Sequence, residues 1–103
     1  MGHFLRNEKL DKEALMGEFN HALETKAAFI GVRIETRGME KPEYIINPYE
    51  NIAQKLIYYN SAYNNDLVLK TYDGIRITRI AHGDSTEEIM KWLGAYNEAG
   101  KIN

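Results

Sequence analysis

The chain lacks cysteine altogether, contains only two prolines and carries no long apolar run. Without cysteine it has no disulfide framework, no thiolate zinc site and no cysteine nucleophile. Its longest apolar runs, such as residues 67–69, are far shorter than the roughly 20 residues that span a bilayer. The first residues also lack the apolar core of a signal peptide. We therefore expect a cytoplasmic protein that has no membrane segment.

Charge of either sign is also not in large excess. The chain has 13 Lys and Arg against 15 Asp and Glu, which gives a formal net charge of -2. Such a balance offers no global attraction to nucleic acid, so any binding of that kind has to be local. The length of 103 residues and the 44% apolar fraction suit one folded unit. We predict a single small α+β domain over residues 1–103, with residues 1–10 as a candidate flexible segment.

Two different apolar periods define the first third of the chain. After Asp11, a helix N-cap residue type, apolar residues recur at a spacing of three to four. They are Leu15, Phe19, Ala22 and Leu23. Residues 29–36 then alternate apolar and other side chains, at Ile30, Val32 and Ile34. This change of period predicts an amphipathic helix followed by a half-buried strand.

The run Asn-Pro-Tyr-Glu at residues 47–50 follows a short apolar strand at residues 44–46. Asn is a preferred N-cap, Pro suits the first helical position, and Glu three residues after the cap can reach back to the cap amide. We predict that the strand ends and a helix begins here, with Asn47 as the cap. The helix carries an inward stripe made of Ile52, Leu56, Tyr59 and Tyr63.

Asp-Gly at residues 73–74 is a favoured two-residue turn and predicts a second hairpin between residues 67–72 and 75–81. A two-residue turn, however, puts the apolar residues of the two arms on different faces. The segment 67–70 is therefore open between a strand with a bulge, a longer loop and a helical turn. A last helix follows Ser85, which with Glu88 has the spacing of a capping box.

The resulting order is α-β-β-α-β-β-α. Antiparallel strands joined by hairpins, with amphipathic helices between them, are typical of an α+β fold. We predict an antiparallel sheet of three or four strands with the helices packed on one face.

No catalytic motif accompanies this fold. The three histidines, His3, His21 and His82, are widely separated, and no serine lies in a nucleophile elbow. We therefore predict no enzymatic activity, no catalytic residue, no metal site and no cofactor. His82 precedes the last helix and is a candidate anion contact at a helix N-terminus, against the simpler interpretation as part of a turn. An enzyme would need His82 with Asp84 in a concave pocket.

Two groups of residues are candidate binding surfaces. The first consists of Tyr58, Tyr59 and Tyr63, because tyrosine is favoured at interfaces; the alternative is that they belong to the core. The second consists of Arg33, Arg76 and Arg79, which lie on different predicted strands and can share the sheet face away from the helices. The alternative for this face is a solvated sheet of mixed charge or a dimer surface.

Several segments between Phe29 and Ile89 also carry a resemblance. They include Phe-Ile-Gly-Val-Arg-Ile-Glu at residues 29–35, Ile-Ile-Asn-Pro-Tyr-Glu-Asn at 45–51 and Ala-Tyr-Asn-Asn-Asp-Leu at 62–67. The chain resembles small uncharacterised proteins of bacteriophages and integrated elements in low-GC Gram-positive bacteria. The resemblance implies a phage-type accessory protein and transfers no residue role.

Together these features favour a non-enzymatic interaction module that binds a protein partner or itself as a homodimer. The alternative is a nucleic-acid-binding accessory protein that uses the arginine-bearing sheet face.

Overall fold

The computed structural model describes the backbone of residues 3–6 and the backbone and side chains of residues 10–95. The strands are β1 (His3–Arg6), β2 (Phe29–Thr36), β3 (Glu43–Pro48) and β4 (Ile75–Gly83). The helices of the described part are α1 (Lys12–Thr25), α2 (Ile52–Ala62) and α3 (Thr86–Trp92). The strands form one antiparallel sheet in the order β1-β4-β2-β3. The predicted α+β class with an antiparallel sheet is confirmed, whereas the predicted order of elements is not: the chain runs β-α-β-β-α-β-α.

Local capping signals set the starts of α1 and α3 as predicted. The Asp11 side chain accepts a hydrogen bond from the Ala14 amide at 2.8 Å, and Ser85 accepts one from the Glu88 amide at 3.1 Å. Each bond satisfies a backbone donor that the helix itself leaves without a partner. Both caps could be predicted from the sequence because each involves only residues three positions apart.

The junction between β3 and α2 differs from the prediction. Asn47 is not a helix cap, because it lies in β3 and pairs with Ile30 of β2. The chain leaves the strand after Pro48, makes a 3₁₀ turn over Tyr49–Asn51 and enters α2 at Ile52. Pairing with β2 thus extends β3 through Asn47, the predicted cap, and the 3₁₀ turn begins directly after Pro48.

The segment before β4 is a loop rather than a full strand. Only two isolated bridges occur in it, between Tyr63 and Leu69 and between Val68 and Arg76. Leu67 adopts a positive φ of 62° and is fully buried. This outcome corresponds to the longer loop among the three alternatives for residues 67–70, and it replaces the regular second hairpin.

The helices pack on both faces of the sheet, so the predicted one-sided packing is wrong. One face carries the main core, in which Ile30, Val32 and Ile34 of β2 pack with residues of α1 and α2. The opposite face carries α3. A Cβ atom placed on Gly31 would lie 2.8 Å from Ile89 Cγ2, so the helix approaches the strand where it has no side chain. We call these the core face and the α3 face.

A β-bulge in β4 decides which residues share a face. The register with β2 shifts after Arg33, which pairs with Arg79, because Ile34 pairs with Ile77 and leaves Thr78 as an extra residue. Without the bulge, strict alternation would place Arg76 and Arg79 on opposite faces. The bulge therefore turns both arginines toward the α3 face.

Candidate binding surface

Three arginines occupy one cross-strand row of the sheet. Arg79 of β4 pairs with Arg33 of β2 on one side and, through the backbone, with Arg6 of β1 on the other. Like charges directly opposite on adjacent strands destabilise a sheet. The cross-strand pair of Arg33 and Arg79 therefore calls for negative charge close by, either from the protein itself or from a partner.

The protein supplies part of that negative charge. Glu35 forms an ion pair with Arg33 at 3.1 Å, and the Arg33 side chain is only 11% exposed. Gly94, just after the end of α3, lies over Arg33 and Arg79: a Cβ placed on it would overlap Arg79 Nη1 and lie 3.3 Å from Arg33 Nη1. The carbonyl end of a helix favours cations, so the placement of Gly94 suits both guanidinium groups.

Beyond the end of α3, the same face forms an open groove of about 320 Å³ between the β2–β3 loop and β4. We call it the basic groove. Its charged lining residues are Arg33, Glu35, Arg37, Glu40, Lys41 and Arg76. Four cations and two carboxylates line the groove, and Asp73 pairs with Arg37 beside it, so the local excess is one positive charge, although the whole chain has a net charge of -2.

The cations of the basic groove differ in how strongly the protein holds them. Arg33 is tied to Glu35, and Arg37 is hydrogen-bonded to Asp73 at 3.0 Å, which raises the pKa of Arg37. Arg76 and Lys41, in contrast, form no ion pair within the described part of the chain. Both side chains are exposed, so they can bind a ligand without breaking an ion pair inside the protein.

Of the predicted arginine set, Arg33 and Arg79 lie side by side, and Arg76 shares the groove with Arg33. Arg37 and Lys41 are groove residues that were not predicted from the sequence. Both lie in or beside the β2–β3 loop, and their spacing of four residues around Gly38 gives no periodic signal. Only the hairpin geometry brings them to the arginine face.

The predicted tyrosine group is divided between core and surface. Tyr59 and Tyr63 are buried, and the Tyr59 ring contacts Phe19 edge-on at a centroid distance of 5.7 Å. Tyr58 is 48% exposed, with its ring 5.3 Å from that of Tyr59. Tyr59 and Tyr63 therefore belong to the core, which was the alternative to a binding role. Of the three tyrosines, only Tyr58 can contact a partner.

His82 was predicted to lie in a loop before the last helix, and this prediction is wrong. The residue lies in β4 and its side chain is on the core face. It is 1% exposed, and its Nδ1 lies 2.7 Å from Oε2 of Glu18 in α1, which is also buried. The ring of His21 contacts the His82 ring edge-on at 5.1 Å. Burial of His82 removes it as an exposed anion contact, whereas Asp84, two residues later, is exposed. The enzyme alternative therefore loses its acid and base group.

The sequence contains one signal for this buried pair. Glu18 lies on the same stripe of α1 as Leu15 and Ala22, and a carboxylate on a buried stripe requires a hydrogen-bonding partner. Within residues 3–6 and 10–95, no group of three or more His, Asp or Glu side chains is arranged to hold a metal ion. No helix in that part is long and apolar enough to cross a bilayer.

Comparison with known proteins adds no relative to this description. No family model, no curated protein and no solved structure matches the chain significantly.

Proposed function

We propose that the chain is a non-enzymatic binding module whose contact surface is the basic groove and whose partner is anionic. The observation that carries the proposal is that the bulge at Thr78 places Arg76 on the same sheet face as Arg33, where both line the groove; Arg79 lies beside Arg33 outside the groove lining. A sheet that places arginines side by side has an energetic cost. An anionic partner offsets that cost and gains charge-assisted hydrogen bonds.

A polyanion without bases or side chains tests the groove alone. We expect inorganic polyphosphate to bind at low ionic strength, as measured by titration calorimetry. The double variant Lys41→Gln/Arg76→Gln removes the two cations that have no internal ion pair, and we expect it to bind roughly tenfold more weakly. The slope of log affinity against log salt should also become shallower, because two fewer phosphate contacts release fewer counterions.

A matched control makes the test specific. Lys26→Gln/Lys55→Gln removes the same charge from the end of α1 and from α2, the two helices on the opposite face of the sheet. We expect this variant to bind polyphosphate as the original chain does. Equal losses in both double variants, or no binding of polyphosphate at low salt, would contradict the proposal.

Self-association is a second candidate function, and a separate observation supports it. Ile57 is 70% exposed beside the outward Tyr58 on α2, so this helix presents an apolar side chain to solvent. A homodimer through this surface should appear in size-exclusion chromatography with light scattering. The variant Ile57→Lys should then be monomeric, and a monomer at high concentration in the original chain would exclude this candidate. A phage or mobile-element origin and a cytoplasmic location are likewise proposals.

A further inference from the structure

We propose that the anionic partner of the basic groove is a single-stranded nucleic acid whose bases stack on Tyr72. This inference rests on the proposed function, because it names the class of partner for the same groove. It adds a second chemistry, aromatic stacking, to the charge of the groove.

The position of Tyr72 is the first observation. Its ring is 44% exposed and lies against the backbone of Gly74, since a Cβ on Gly74 would be 2.6 Å from Tyr72 Cζ. The guanidinium carbon of Arg37 is 5.7 Å from the centre of the ring. Both Arg37 and Gly74 line the basic groove. An exposed aromatic ring is therefore held in a defined position at the end of a groove lined with cations.

The opposite rim supplies the second observation. Met39 lines the same groove and is 66% exposed, so the loop between β2 and β3 also presents an apolar side chain next to Lys41. Cations that follow a phosphate backbone, combined with aromatic rings on which bases stack, are the features that bind single strands without strong sequence preference. A duplex keeps its bases stacked on each other and makes no use of Tyr72.

The charge distribution favours the same class of partner over an acidic protein. Glu35 forms its ion pair with Arg33 although Arg76 lies opposite it on β4, so neither Arg76 nor Lys41 is held in an internal ion pair within residues 10–95. Side chains of an acidic peptide would satisfy these cations but leave the Tyr72 ring and Met39 without a matching flat apolar surface. Bases provide that surface next to each phosphate.

The test uses the full chain and probes of about twelve nucleotides, within the range that single-strand binding folds cover. Labelled oligothymidylate and oligouridylate are titrated in parallel by fluorescence anisotropy, and polyphosphate serves as the probe without bases. We expect Tyr72→Leu to weaken oligonucleotide binding about tenfold, the scale of one lost stacking contact, and to leave polyphosphate binding unchanged. Tyr72→Phe keeps the ring and should keep the affinity. Thermal melting of each variant verifies that it is folded.

The outcomes separate the two proposals. If polyphosphate binds but Tyr72→Leu leaves oligonucleotide affinity unaltered, stacking is refuted while the anion-binding groove stands. If polyglutamate displaces the oligonucleotide at a lower concentration than polyphosphate does, the partner is an acidic protein and the nucleic-acid inference is overturned. If neither polyphosphate nor oligonucleotide binds, the proposed function fails as well. Equal affinity for the two oligonucleotides would support recognition of any single strand, and a preference for one would identify its source.

Discussion

The hydrogen bond between His82 and Glu18 joins residues that are 64 positions apart and almost completely buried. Polar groups removed from water are stable only when they are hydrogen-bonded, so this pair fixes α1 against β4 in one arrangement. We expect Glu18→Ala to lower the free energy of unfolding by about 1–3 kcal/mol, because the variant deletes a buried acceptor. Urea unfolding provides the measurement.

Glu24 is the matched control for this experiment, since it lies on the exposed side of the same helix. Glu24→Ala should change the unfolding free energy by less than about 0.5 kcal/mol. Similar small effects of both substitutions would show that the buried pair does not contribute to stability.

The buried tyrosines predict a loss of stability in alkali. Burial raises the pKa of Tyr63 to about 12, and burial also raises the pKa of Tyr59. An unfolded tyrosine titrates near pH 10. Because the folded state holds the proton more tightly, the stability from these groups is fully present below about pH 10 and is lost as the pH rises toward 12.

The variant Tyr59→Phe/Tyr63→Phe removes both titrating groups and should therefore keep more of its neutral-pH stability at about pH 11 than the original chain. Urea unfolding at neutral and alkaline pH measures the difference. Tyr49→Phe, at an exposed position, should retain the alkaline loss. Identical pH dependence in the double variant and the original chain would disprove the account.

At the scale of elements, Gly31 determines whether α3 can pack on the sheet. The nearest atoms to a Cβ at this position belong to Ile89, Ile46 and Leu93, at 2.8 to 3.2 Å. We expect Gly31→Ala to destabilise the protein by about 1–3 kcal/mol, as overpacking does in a well-filled core. Displacement of α3 should also change the fluorescence of Trp92, the single tryptophan of the chain.

Gly17 offers a control of opposite sign. It lies within α1, and nothing comes within 4 Å of a Cβ placed there. Gly17→Ala should stabilise the protein by about 0.5–1 kcal/mol, because alanine is the better helix former. If Gly31→Ala were as stabilising as Gly17→Ala, close packing of α3 on β2 would be wrong.

Elements that depend on neighbours in sequence could be predicted, and those that depend on distant contacts could not. The limits of β2 and the caps at Asp11 and Ser85 followed from alternation and from three-residue spacing. The face chosen by α3 depends on small residues at Gly31 and Ala81, which lie in different strands and meet only in the folded sheet. Their small size in otherwise bulky strands is the signal that would have predicted a helix there.

The same division applies to the candidate site. Arg33, Arg76 and Arg79 were predicted to share a sheet face, yet plain alternation cannot put residues 76 and 79 together, and the bulge at Thr78 was not foreseen. Arg37 and Lys41 were not predicted, because they lie in the loop between β2 and β3, whose path depends on tertiary contacts. His82 was misplaced because β4 continues through Gly83, where pairing with β2 extends it beyond the predicted end.

At the scale of the whole molecule, the two faces of the sheet are covered to different extents. The core face packs α1 and α2 and supplies most of the buried apolar side chains, whereas the other face is only partly covered by α3 within residues 10–95. The uncovered part coincides with the basic groove. An acidic chain can thus offer a local basic surface, because binding depends on the field at the groove rather than on the net charge.

The most direct test of that claim is a residue-by-residue map of ligand contact. We would record amide NMR shifts of the isotopically labelled chain during a titration with polyphosphate at low salt. The account predicts that the largest changes cluster at residues 33–41 and 74–79, while α1 and α2 stay unaffected. Changes centred on α2, or spread evenly over the surface, would contradict it.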